Sequence, residues 1–298
     1  MSGDKPVKLA ILWHMHQPNY QESNSSKLVM PWVRLHAIKD YLDMPLIAAR
    51  YDKVKVNFNL VPCLIDQIEL YLNGGSDPHL DLSRIKAVDL NESQQLEILN
   101  TFFSGYPHTM IETYPRFNEL YKKAKDNYNQ ELLPSLFSSE EIRDIQVWSN
   151  LVWVDPLFRN EEPVKSLFKK KNNFTEEEKH QLLDWQLNLL KRIIPTYKQL
   201  FEQKKIDISF TPYYHPILPL LCDTNIAREA VEGIKLPKER FIHPEDAKRQ
   251  IMMSVEKFQE LFGSRMRGMW PSEGSVSEEA AKIIMENGIE WIATDEEI

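Results

Sequence analysis

The sequence predicts an α/β fold built on a parallel sheet, and three observations predict it. Four apolar runs end abruptly in polar or aromatic residues: "VKLAILWHMHQP" from Val7, "KVKVNFNLVP" from Lys53, "IDISFTPYYHP" from Ile206 and "MRGMWPSEG" from Met266. A fifth, "IEWIATDEEI" from Ile289, runs to the end of the chain. The runs are continuous rather than alternating, the pattern of strands covered on both faces. Helical patterns separate them, so strand and helix alternate in the manner of βαβ units.

Each element has a local reason. "PWVRLHAIKDYLDMPLIAARY" follows the first run with helical spacing. "HPEDAKRQIMMSVEKFQELFG" precedes the fourth, with Pro244 near its start and Gly263 as a stop. "SVSEEAAKIIMENG" follows the fourth. There Ser277 is suited to cap, Glu278 and Glu279 suit the positive end of the helix dipole, and Gly288 terminates. Roughly 140 residues separate the second and third runs, far more than a βα connection needs. That gap is dense in helical pattern. Its clearest members are "NESQQLEILNTFF", "SSEEIRDIQVWSNLVWVDPLFR" and "TEEEKHQLLDWQLNLLKRIIPTYKQLFEQKK". The last opens on Thr175 and Glu178, a capping-box spacing. We read a mostly helical insertion over residues 74–204 within a domain that spans 1–298. "NGGSDPHLD" and "KKKNNF" read as surface connections.

Composition narrows the function classes. The chain has 298 residues and a net charge of −8, which argues against wrapping nucleic acid. Cys63 and Cys222 are far apart, and neither belongs to a CxxC pair; both read as buried free thiols suited to a reducing cytoplasm. The N-terminal run is too short for a signal peptide and leads straight into His14. No apolar run reaches membrane-spanning length. The expected setting is cytoplasmic.

The chemistry-bearing residues gather where the apolar runs end, which in barrels of alternating strands and helices is where active sites form. Run one ends in His14, His16 and Gln17. Run three ends in Tyr213, Tyr214 and His215, run four in Trp270 and Glu273, and run five in Asp295 with Glu296 and Glu297 behind it. Residues i and i+2 of a strand share a face, so His14 and His16 look into one pocket. Each residue also has a plainer use. A histidine at a strand end can be a hydrogen-bonded structural group, Trp270 can pack under a loop, and Glu273 can help to cap the next helix. Tyr213 and Tyr214 alternate, so at most one faces the pocket.

Two enzyme readings use the same residues. Paired imidazoles suit zinc, with His215 and Asp295 as further ligands of a metal-dependent deacetylase or amidohydrolase. Alternatively, histidine, glutamine and carboxylates bond sugar hydroxyls while tryptophan and tyrosine stack on the rings. Retaining hydrolysis then needs two carboxyl groups about 5–5.5 Å apart. Glu273 is placed as nucleophile, and Asp295 is the natural partner within this chain. A non-catalytic glucan-binding module is the third possibility. Metal analysis of the purified protein separates the first reading from the others.

Three ordered motifs carry a family resemblance. "WHMHQPNY" at Trp13–Tyr20 is similar to the first signature of glycoside hydrolase family 57. "TPYYHPILPLL" at Thr211–Leu221 resembles the second signature in its amylopullulanase and α-amylase-like branch. "GMWPSEGSVS" at Gly268–Ser277 resembles the third. "VWSNLVWVDPLF" at Val147–Phe158 is similar to that branch's helical insertion. The resemblance implies an incomplete (β/α)7 barrel, an α-glucan or maltooligosaccharide substrate, a retaining mechanism, and no metal or other cofactor. It makes Glu273 the nucleophile and places His14, His16, His215 and Trp270 around the sugar before the cleaved bond. The family's general acid is an aspartate in a later signature. The chain stops before that signature, so the remainder of the catalytic domain is expected C-terminal to Ile298. Asp295 is then not the acid, and it stays among the substrate-contacting candidates.

Overall fold

The computed structural model describes residues 7–127 and 132–295; Glu296 and Glu297 lie outside the described residues. The chain divides into two compact units. One is drawn from Met1–Asn19, Pro45–Asp66 and Ile194–Ile298, the other from Tyr20–Met44 and Gln67–Ile193.

The first unit holds a five-stranded parallel sheet in sequential order: β1 (Leu12–Met15), β2 (Asn57–Leu60), β3 (Asp207–Phe210), β4 (Gly268–Met269) and β5 (Trp291–Ile292). This is the predicted α/β class. The strands are shorter than the apolar runs that announced them. Their register makes two rows across the sheet. Met15, Leu60, Phe210, Met269 and Ile292 form an apolar row. One residue earlier, His14, Asn59 and Ser209 form a polar row. Successive side chains of a strand point to opposite faces, so the two rows face opposite ways.

One sequence expectation is corrected. The runs read as strands covered on both faces, yet Trp13 is 45% exposed in β1, with Leu9 and Ile11 exposed before it, and Trp291 is 36% exposed in β5. These two strands are the ends of the sheet, and an edge strand has a neighbour on one side only.

Around the sheet lie helices Leu218–Cys222, Pro244–Phe262 and Glu278–Glu286. The 19-residue helix Pro244–Phe262 packs Phe258 and Phe262 edge-on against Phe210 of β3, and it ends at Gly263 in the left-handed conformation. The Ser277 side chain caps Glu278–Glu286 by accepting from the Ala280 N–H at 3.2 Å. Both cysteines are buried free thiols.

The second unit is helical. Among its members are Trp32–Ala37, Pro78–Arg84, Glu92–Thr101, Pro115–Lys125, Ser139–Leu151 and Glu176–Leu190. Asn91 with Gln94, Ser138 with Glu141 and Thr175 with Glu178 each form a reciprocal capping box. Its interior is not purely apolar. Arg34 is fully buried and donates to Asp77 at 2.9 Å, Asn150 at 2.9 Å, Gln186 at 2.9 Å and His79 Nδ1 at 3.1 Å. Every donor of a desolvated guanidinium needs such a partner. Trp148 and Trp153 are both buried. Trp148 donates its indole N–H to the Lys171 carbonyl, and Trp153 lies against Trp32 and His36.

Candidate active site

Because the sheet is wholly parallel, the C-terminal ends of all five strands lie on one side. His14 sits in β1, and His16 follows it. His215 lies in the turn after β3. Trp270 comes directly after β4, and Glu273 lies on a short 3-10 turn, Ser272–Gly274, beyond it. The structure brings these five together. The ring centroids of His14 and His16 are 5.4 Å apart, those of His14 and His215 5.0 Å, and those of His16 and His215 4.2 Å in a stacked pair. The Trp270 indole meets His14 edge-on at 4.4 Å. The Glu273 carboxylate reaches within 3.9 Å of His215 Nδ1.

Two of these residues hold a conformation that non-glycine residues avoid. His215 has φ +58° and Glu273 φ +56°. The left-handed region strains an L-residue's Cβ, and such residues persist only where surrounding contacts hold them. The His215 loop is held on two sides. From the helix Pro244–Phe262, the Gln250 side chain accepts from the Tyr214 N–H, and the Gln250 carbonyl accepts from the Tyr213 N–H. On the other side, the Tyr213 hydroxyl donates to Asp66, which also pairs with Lys257 at 3.1 Å. The Glu273 turn is closed by the Gly274 N–H donating to Pro271 O at 2.8 Å, and the Thr294 hydroxyl donates to Gly274 O at 2.6 Å.

Sequence reasoning missed the residues that orient His14. Its Nδ1 is 2.8 Å from Asn59 Oδ1. The Asn59 amide nitrogen donates to Ser209 Oγ at 3.1 Å, and that hydroxyl donates to Asn57 Oδ1 at 2.8 Å. An amide oxygen only accepts, so the His14 proton sits on Nδ1 and Nε2 carries the lone pair. Asn59 and Ser209 are fully buried, which makes the relay rigid. The signal was present in "VNFNLVP", where Asn57 and Asn59 repeat the i, i+2 alternation of the two histidines.

Electrostatics keep the three rings neutral. Burial lowers the pKa of His14, against smaller opposing effects from Asn59 and Glu273. Burial and then His14 lower that of His16. Burial, then His16 and His14, push His215 down to about 3. The pocket therefore presents uncharged imidazoles, an indole face and one exposed carboxylate. Such a set can grip hydroxyl groups and a ring face; its three imidazoles are also the residues that could hold a metal ion. Asp295 lies at the surface beside this turn, where its backbone passes Gly274. Tyr214 is exposed, while Tyr213 is committed to Asp66.

No curated protein matches the chain. Among solved structures, an α-amylase, AmyC, from Thermotoga maritima is similar at 15% identity and TM-score 0.44, over 97% of this chain and 39% of that one. A family-57 branching enzyme from Thermococcus kodakaraensis, solved with glucose, is similar at 14% identity and TM-score 0.45, over 95% of this chain and 38% of that one. The branching enzyme from Pyrococcus horikoshii is similar at 14% identity and TM-score 0.43, over 95% and 40%. This chain thus spans about two fifths of their length. The family model for glycosyl hydrolase family 57 matches residues 10–297, from before β1 to beyond β5, and the chain belongs to that family.

Proposed function

We propose that this chain is the nucleophile-bearing part of a retaining glycosidase acting on α-glucans of the α-amylase or amylopullulanase kind. One observation carries the reading. A strained carboxylate, Glu273, stands at the C-terminal side of a parallel sheet, beside three neutral imidazoles and the Trp270 indole. Trp270 offers a surface for a sugar ring, and His14 offers its Nε2 lone pair to a hydroxyl proton. Membership of the family supports the same class of reaction.

The chemistry follows from that placement. The Glu273 carboxylate attacks the anomeric carbon, and the bond from that carbon to the leaving oxygen breaks. The leaving oxygen takes a proton from a general acid, which we assign to an aspartate C-terminal to Ile298. Water, or a glucan hydroxyl, then attacks the glycosyl-enzyme while that aspartate accepts its proton. The exposed apolar residues of β1 and β5, at the two ends of the sheet, support further strands that would close a barrel there.

Intact-mass spectrometry tests the proposal. An aryl α-glucoside carries a leaving group that needs no protonation, so the isolated chain should accumulate a covalent glucosyl adduct. Glu273→Gln should lose it. Natural glucans should turn over slower by a factor of about 10²–10⁴, the usual contribution of a general acid. Brisk turnover of unmodified maltooligosaccharides by this chain would return the acid role to a residue present here, Asp295 first.

A further inference from the structure

The three imidazoles have a property that sugar binding does not require. One ring nitrogen from each of His14, His16 and His215 lies within 4.8 Å of the other two. We infer that these three residues form a binding site for a borderline transition-metal dication, for which Zn²⁺ is the probe, and that the metal excludes sugar from the pocket.

Ligand nitrogens about 2.0–2.1 Å from a tetrahedral zinc sit roughly 3.3 Å apart, so the rings need to close by at most about 1.5 Å. The ligands come from two different segments: His14 and His16 at the end of β1, and His215 in the turn after β3. Two Nε2 atoms, those of His14 and His215, are buried without a hydrogen-bond partner. In His14 that atom carries the lone pair, because Nδ1 donates to Asn59. A metal-bound histidine shows the same arrangement: the second ring nitrogen donates to an oxygen that fixes tautomer and orientation, here extended through Ser209 to Asn57. Glu273 supplies a negative charge 3.9 Å from His215. Imidazole sites favour zinc, copper and nickel over the hard cations magnesium and calcium.

Metal binding itself stands apart from the proposed glycosidase activity; only the exclusion of sugar rests on that reading. A dication among these rings would occupy the lone pairs offered to hydroxyls and hold the Glu273 carboxylate against attack. It would act as a reversible inhibitor. A metal-dependent hydrolase built on the same rings behaves oppositely, since a chelator would abolish its activity rather than restore it.

The test begins with the chain stripped by a chelator and titrated with Zn²⁺ by calorimetry, followed by nuclear magnetic resonance of the histidine rings. The expected result is one zinc per chain, with the ring signals of three of the eight histidines moving together. This measurement on the unaltered chain needs no variant to fold. His16→Gln should weaken binding at least tenfold, and Asn59→Leu about 10- to 100-fold through loss of the orienting hydrogen bond. His108→Gln, at an exposed ring paired with Glu112, should change nothing. Maltooligosaccharide should weaken the apparent zinc affinity, and zinc should suppress the Glu273 adduct until a chelator is added. Zinc that fails to bind below millimolar concentration, or that moves the rings of His36, His108, His180 or His243 instead, overturns the site. Zinc held by the three rings without competition from sugar keeps the site and overturns its inhibitory role. A glucosyl adduct that never forms, with or without zinc, sinks the glycosidase reading alone.

Discussion

Glu273 joins chemistry and strain in one residue. Its backbone is left-handed, and 67% of its side chain is exposed beside His215. A non-glycine residue in that region loses about 1–2 kcal/mol, and glycine there avoids the steric part while losing more chain entropy on folding. Glu273→Gly should therefore raise stability by about 0.5–1 kcal/mol, read as a higher midpoint in thermal or urea unfolding, while losing the glucosyl adduct. A lower midpoint would show that the turn is not strained by its side chain. His215 pays the same conformational penalty a few ångströms away, so two strained residues meet at one pocket, as functional sites tend to show.

At the scale of elements, the close approach of β4 and β5 depends on a missing side chain. Gly268 is registered opposite Trp291, and a Cβ on it would lie 1.9 Å from Trp291 Cζ2 and 2.0 Å from Cε2. The whole indole would have to leave its place on β5. Gly268→Ala should destabilise by about 1–3 kcal/mol, the usual range for overpacking. Adding Trp291→Ala should recover part of that loss, giving a double variant less unstable than the sum of the singles. Strict additivity would mean that the two residues do not meet. The helices show the opposite situation, in which local chemistry suffices. The cap formed by Thr175 with Glu178 and the stop at Gly263 were readable because each acts within a turn or two of its own residue.

At the scale of the whole molecule, buried polar groups set the response to acid. His79 accepts from Arg34 inside the helical unit, and burial first, then Arg34, push its pKa down to about 3. Between about 6.5 and 3 the unfolded chain binds a proton that the folded chain refuses, so stability falls as pH falls through that window, by up to about 1.4 kcal/mol per unit. Asp43 acts in the other direction. Burial and Asp155 raise it to about 7, so the folded chain keeps a proton that the unfolded chain releases above about 3.8, and this contribution is lost as pH rises toward 7. Urea midpoints of the unaltered chain and His79→Gln, measured between pH 7 and pH 4, should converge as pH drops. Parallel curves would mean that His79 is already protonated in the fold. Arg34 itself, joined to four side chains from three other helices, was invisible in the sequence, where it reads as one more charge on an amphipathic helix.

The sequence by itself determined the parallel α/β class, the family, and the residues that meet at the strand ends, because each of these rests on short-range pattern. Apolar runs mark strands, capping chemistry marks helix ends, and i, i+2 spacing aims His14 and His16 at one pocket. Only the tertiary structure decided which of those strands were edges, and so which apolar residues stayed in water. It also decided the tautomer of His14, because the row His14, Asn59 and Ser209 exists only once three strands lie in register. The left-handed backbone of His215 and Glu273 was settled there as well. Neither residue prefers that conformation alone, and each adopts it where contacts distant in sequence hold the turn, from Gln250 and Asp66 around His215 and from Thr294 beside Glu273.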